Sequence, residues 1–211
     1  MTSKPQSPLP RIQRHFMLSE SEAHCEPVKL CWVLGAAGAV GHAAIQLGRW
    51  MGARVIAGAS TQAKRDAAHL AGAHDTFDTT TDWKDTVKAS ASGKGVNVCF
   101  DPVGGTATET AFRTLGWEGR HLMVGFANGE IPSLKANLAI LKGASLVGVD
   151  MRQFGFMQPA QAAAIQRECV DLFNEGTIRP FIRAVLPVSR ITEAAEMASE
   201  RGAFGRVLFN F

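Results

Sequence analysis

Glycines at positions 35, 38 and 41 recur every third residue in the stretch Val33-Leu34-Gly35-Ala36-Ala37-Gly38-Ala39-Val40-Gly41. An apolar run ends at the first glycine and a helical period begins among the others, so the motif sits between a strand and a helix. Its chemistry is that of phosphate. Gly35 allows a sharp turn, and Gly38 lets backbone N–H groups approach a pyrophosphate with no Cβ in the way. Gly41 lets the helix pack closely on the strand, and the helix N-terminus adds partial positive charge. The placement points to a dinucleotide site. A tight turn without a ligand, and an S-adenosylmethionine turn, are the alternatives.

The next strand end bears on which dinucleotide. An NAD site commonly places an acid about 20 residues past the glycines, against the ribose 2′-OH. Here the segment reads Gly58-Ala59-Ser60-Thr61-Gln62-Ala63-Lys64-Arg65, and the first acid is Asp66. Ser60 and Thr61 offer hydroxyls, and Lys64 and Arg65 offer positive charge to a 2′-phosphate. NADPH is therefore expected over NADH, the alternative being that Lys64 and Arg65 are a solvated helix face.

Other chemistries find no footing. There is no GxxxxGK[ST] phosphate loop, no HExxH and no GxSxG, and no Ser/His/Asp set can be argued. No catalytic residue and no metal ligand is assigned. His42 reads as packed or solvated on the first helix, and His121, opening a buried strand, as a core histidine. The four cysteines, Cys25, Cys31, Cys99 and Cys169, form no CxxC pair, which suggests reduced structural thiols and a cytoplasmic protein. The 22 basic and 19 acidic residues leave a net charge of +3, spread along the chain, so no nucleic-acid partner is expected. No apolar run approaches the ~18 residues of a membrane span, so no membrane partner is expected either.

These residues need elements to position them. Residues 28–34, 54–59, 76–77, 96–100, 121–125 and 145–149 read as strands. Between them, helices are expected at 63–71, 82–89 and 106–115, and on the first crossover with Val40, Ala44, Leu47 and Met51 as its apolar face. Pro159 opens a further helix whose Ala162, Ile165, Cys169, Leu172 and Phe173 share one face, and Gly176 ends it. Alternation at this spacing means βαβ units and an α/β fold, a doubly wound parallel six-stranded Rossmann sheet. The last stretch departs from that rhythm, with strands at 182–186 and 207–209 around a helix at 191–198. Residues 1–27 carry Pro5, Pro8, Pro10 and Pro27 without a sustained period and read as a tail or linker. Residues 1–18 hold Lys4, Arg11 and Arg14 but no acid, a faint likeness to a mitochondrial-type transit sequence.

Three segments together carry a family resemblance: 33–60, the Cys99-Phe100-Asp101-Pro102-Val103-Gly104-Gly105 stretch, and 122–150. They resemble the quinone oxidoreductase (zeta-crystallin-like) branch of the medium-chain dehydrogenase/reductase superfamily. The resemblance implies an NADP-binding domain over 28–180, with 181–211 a segment returning to a GroES-like catalytic domain. It implies hydride transfer from NADPH to a quinone-like electrophile, without a metal. Gly35, Ala37, Gly38, Ala39, Val40 and Gly41 match the pyrophosphate turn, and Ser60 and Lys64 the 2′-phosphate positions. Val103 and Gly125-Phe126-Ala127 match positions lining the cofactor toward its nicotinamide, and Arg206 stands where the family often has Lys near the cleft.

The departures are Thr79 in place of a common Tyr, Ala39 in place of a Gly, and 27 unrelated residues where the family has its catalytic domain. That domain supplies most of the substrate pocket, so the chain is expected to turn over quinones poorly. The resemblance also implies pairing through the edge strand near 145–149, so a homodimer or other self-association is expected. A non-catalytic NADPH-binding module is the alternative reading, and a methyltransferase a minor one.

Overall fold

The computed structural model describes residues 30–200 and 204–211; the tail expected at 1–27 lies outside the described residues. Six parallel strands form one sheet: β1 (Leu30–Val33), β2 (Arg54–Ala59), β3 (Asp75–Asp78), β4 (Val96–Asp101), β5 (Leu115–Met123) and β6 (Ser145–Gly148). Their spatial order is β3-β2-β1-β4-β5-β6. Helices α1 (Ala39–Trp50), α2 (Gln62–Leu70), α3 (Lys84–Ser90) and α4 (Ala107–Phe112) fill the crossovers as expected. Two short helices had no clear periodic signal, α5 (Asn137–Lys142) before β6 and α6 (Met151–Met157) after it. Each spans less than two full turns, too few for a pattern to repeat.

β1 shows why a parallel sheet reads as a continuous apolar run. Trp32 faces one layer, packed on Trp83 with ring centroids 5.4 Å apart, and Cys31 and Val33 face the other with Ile45 and Val55. All four β1 residues are buried, as a strand covered on both faces requires.

α1 lies one residue off its expected face. Its buried residues are Gly41, His42, Ile45 and Gly48, while Val40 is 50% exposed. Glycine at 41 and 48 lets the helix backbone approach the sheet, which turns the helix toward those positions. Leu47 and Met51 pack instead beside Ile165 and Leu172 of α7 (Pro159–Asn174). Phe173, expected on the same face of α7, is 46% exposed.

Beyond α7 the chain forms a separate two-stranded parallel sheet, β7 (Ile182–Pro187) with β8 (Arg206–Asn210), connected through α8 (Ile191–Ser199). Val185, Ile191, Leu208 and Phe209 of this unit are exposed.

The sharpest packing constraint lies at the first turn. A Cβ on residue 41 would sit 2.3 Å from the Gly35 carbonyl oxygen and 3.0 Å from the Ala36 Cα. Gly41→Ala should therefore destabilise the chain by about 1–3 kcal/mol, the usual cost of overpacking, read as a lower urea midpoint. Gly148→Ala, whose added Cβ meets nothing within 4 Å, should stay within about 0.5 kcal/mol of the unaltered chain.

Candidate functional site

β1 and β4 are neighbours, and from them the connections depart in opposite directions, so a crevice opens above their carboxyl ends. The glycine turn lies at this point. Gly35 has φ +58°, a left-handed conformation that glycine adopts without strain. Its carbonyl accepts the Gly38 N–H at 3.0 Å, and the Ala36 N–H donates to the Gly58 carbonyl of β2 at 3.1 Å. Gly38 then caps α1 in an extended conformation with no side-chain bond. The Gly38 N–H is thus turned inward, and the helix opens with the N–H groups of Ala39 and Val40, which have no intrahelical partner. Gly38, Ala39 and Val40 are exposed while Ala37 and Gly41 are buried. The turn is a rigid, uncovered helix N-terminus, suited to a phosphate.

The β2 tip supplies the neighbouring charges. Ser60 is exposed, and the Thr61 hydroxyl caps α2 by accepting the Lys64 N–H at 3.4 Å. Arg65 is engaged within the protein. Its guanidinium pairs with the Asp78 carboxylate at 2.8 Å and donates to the Ala59 carbonyl at 3.2 Å and to Gln62 at 3.1 Å. Two hydrogen bonds from Thr80, helped by Arg65, hold the Asp78 carboxyl below the usual carboxylate range. This corrects the expectation that Arg65 offers charge to a 2′-phosphate. Lys64, half-buried and with no ion pair among the described residues, is the cation that remains.

On the other side of the crevice, the loop after β4 carries Val103, whose methyl lies 2.8 Å from where a Cβ on Gly35 would be. The Pro102 and Val103 carbonyls accept the N–H groups of Ala127 at 3.1 Å and Asn128 at 2.9 Å, joining this loop to the one after β5. Gly125 is half-buried, and Phe126 and Ala127 are exposed there. Asp101 and His121 lie beneath, both fully buried, with His121 Nε2 3.0 Å from the Asp101 carboxylate. Burial alone would push the Asp101 carboxyl up. The hydrogen bonds from His121, Gly104 and Thr108 outweigh it and leave the group below its ordinary value. The sequence signal for Asp101 was its place at the end of β4, directly before the loop.

Arg206 reaches the same region from the far end of the chain. It lines a cleft of about 310 Å³ with Ala37, Ala39, His42, Arg179 and Phe181. The returning segment is fastened there by Gln46, which donates to the Arg179 carbonyl at 2.7 Å and accepts the Arg179 N–H at 2.5 Å. The His42 ring lies tilted against Phe181 with centroids 5.8 Å apart, and burial lowers its basicity, against a hydrogen bond with the Arg179 backbone. Nothing in the local sequence around Gln46 announced this clamp.

The profile of the zinc-binding dehydrogenase family matches residues 39–167 of this chain. The chain belongs to that family. The quinone oxidoreductase-like protein 2 homolog of Nematostella vectensis is 33% identical over 192 residues, covering 90% of this chain and 52% of that protein. Quinone oxidoreductase-like protein 2 of Rattus norvegicus is 31% identical, covering 90% of this chain and 55% of its own length. The chain spans about half the length of the curated relatives it matches. Among solved structures, a probable oxidoreductase from Mycobacterium abscessus superposes with a TM-score of 0.77 at 28% identity, covering 94% of this chain and 58% of that one. The quinone oxidoreductase-like branch expected from the sequence is therefore borne out. The family's zinc is another matter. Among the described residues no three His, Cys, Asp or Glu side chains come together to hold a metal, so these residues do not fit such a site.

Two outcomes follow from this geometry. Gly38→Val should fold, because φ −66° and ψ 157° suit a β-branched residue and its Cβ meets only the Gly35 carbonyl at 3.3 Å. Its side chain would cover the helix N-terminus, and dinucleotide affinity by calorimetry should fall by about tenfold or more. The second concerns acid. Asp101 has a lower pKa folded than unfolded, so its contribution to stability is complete above the ordinary carboxylate range and is lost as pH falls through the folded value. Denaturant midpoints measured from neutral pH into acid should fall less steeply for Asp101→Asn than for the unaltered chain.

Proposed function

We propose that the chain is the cofactor-binding part of an NADPH-dependent oxidoreductase of quinone oxidoreductase type. The observation that carries the cofactor choice is the β2 tip, where Ser60 and Lys64 stand with no acid free of a partner, Asp78 being held by Arg65. A 2′-phosphate meets an ammonium there instead of a repelling carboxylate.

The chain's own residues bind and orient. Ala37, Gly38, Ala39, Val40 and Gly41 would take the pyrophosphate between them and Arg206, and Ser60 with Lys64 the 2′-phosphate. Val103, Gly125, Phe126 and Ala127 would face the other nucleotide. A nicotinamide bound in this way supplies a hydride. Most of the protein's contribution is to fix that ring against an electrophilic carbon in a dry cleft. A quinone or related carbonyl compound is the substrate class proposed.

Residues 28–180 would form the cofactor-binding domain and 181–211 a segment of the catalytic domain. The exposed Val185, Ile191, Leu208 and Phe209 favour cover by further polypeptide over that segment. They also support the second reading, a cofactor-binding module with little turnover of its own. We further propose a homodimer through β6, an edge strand on which Leu146 is exposed, as are Ile140 and Leu141 of α5. No helix among the described residues is long and apolar enough to cross a membrane. Cys31, Cys99 and Cys169 are free thiols, in keeping with a cytoplasmic setting.

Calorimetric titration with NADPH and NADH tests the central reading. NADPH should bind more tightly, and Lys64→Ala should weaken it by about 1–2 kcal/mol, as for a partly solvated charge-assisted contact, with NADH unchanged. Equal affinities, untouched by that substitution, would overturn the assignment.

A further inference from the structure

Asp101 has no exposed surface, yet it carries a carboxylate at the base of the crevice. Its Oδ1 accepts the N–H groups of Val103 at 2.9 Å and Gly104 at 3.0 Å. Its Oδ2 accepts the Thr108 hydroxyl at 2.7 Å and lies 3.0 Å from His121 Nε2, which donates when it carries the proton. Four donors use the whole acceptor capacity of an ionised carboxylate, the condition under which burial of the charge is tolerated. The donors come from three places: the loop after β4, α4, and the interior of β5. One side chain thus ties three pieces of backbone together.

The tie continues upward into the crevice. The loop it fixes accepts the Ala127 and Asn128 N–H groups through the Pro102 and Val103 carbonyls, and Gly105 donates to the Glu130 carbonyl at 3.0 Å. Val103 also rests against Gly35 of the glycine turn. In a sheet of this order the adenosine ribose belongs at the β2 tip, so the second nucleotide belongs over β4 and β5. A core role alone would be met by an apolar pair. A carboxylate whose two oxygens face different elements fixes a loop's direction as well as its position.

We infer that Asp101, His121 and Thr108 are positioning residues for the half of the site remote from adenosine, acting through the 102–105 loop and the segment 125–127. The inference rests on the dinucleotide reading. It assigns to buried polar groups a role in orienting the ring-bearing nucleotide, separate from the residues that hold the phosphates.

The test is calorimetric titration of the full 211-residue chain with NADPH and with adenosine 2′,5′-bisphosphate, which lacks the second nucleotide. Thr108→Val, which is close to isosteric, and His121→Leu should each lower NADPH affinity by about fivefold to tenfold, part of the worth of a hydrogen bond to a charged group. Both should leave the bisphosphate within about twofold. Asp101→Asn, which keeps an acceptor for the Val103 and Gly104 N–H groups, should retain more NADPH affinity than Asp101→Ala. Equal losses for the two ligands would make the network merely structural and overturn the inference, as would NADPH affinity unchanged in Thr108→Val and His121→Leu. An unaltered chain that binds neither ligand would overturn the dinucleotide reading, and this inference with it.

Discussion

The Gly35 carbonyl lies where a Cβ on residue 41 would approach to 2.3 Å, and the geometry of the crevice depends on that contact. With only a hydrogen at 41, the first turn of α1 can pack against the Gly35 and Ala36 backbone. His42 N–H closes the first helical bond on the Gly38 carbonyl at 2.8 Å, and Leu34 N–H holds the strand end to the Phe100 carbonyl at 3.0 Å. The turn is thereby tied on both sides, to β2 through Ala36 and to β4 through Leu34. Any bulkier residue at 41 would lift the helix and separate its N–H groups from the surface formed by Val103 and the β2 tip.

Charge around this turn is sorted by pairing. Arg65 and Asp78 neutralise each other beside the β2 tip, and Asp101 is enclosed by donors below the floor. Lys64 at the β2 tip, with Arg179 and Arg206 in the cleft beside Ala37 and Ala39, adds cations near a helix N-terminus that itself carries partial positive charge. Such an arrangement favours a polyanion over a neutral ligand. Gln46 and His42, both on α1, hold the returning backbone at Arg179 and Phe181, and the Phe181 carbonyl accepts the Arg206 N–H at 2.8 Å. One helix therefore opens at the glycine turn and also holds the returning backbone beside it.

Much of this was legible in the sequence, for identifiable reasons. Buried parallel strands are continuous apolar runs, so Arg54–Ala59 could be read from Val55, Ile56 and Ala57 alone. The glycine spacing marked the turn because a Cβ at 35 or 41 has no room there. The face of α1 was misread by one position because hydrophobicity counts a glycine as weak, whereas close backbone packing depends on it. Arg65 reads as free charge in the sequence because its partner, Asp78, stands on the next strand, where spacing along the chain gives no hint. The Asp101 network was missed for a similar reason: Thr108 and His121 meet it only after β4 and β5 pair. α5 and α6 are too short to show a period. Contacts made across elements are what a single sequence hides.

In a crystal structure of the chain grown with NADPH, the diphosphate should lie at the N–H groups of Ala39 and Val40 with Arg206 opposite, the 2′-phosphate at Ser60 and Lys64, and the second nucleotide over Val103 and Phe126. Density for the dinucleotide elsewhere on the surface, or a 2′-phosphate on Arg65 with its Asp78 pairing broken, would contradict that placement.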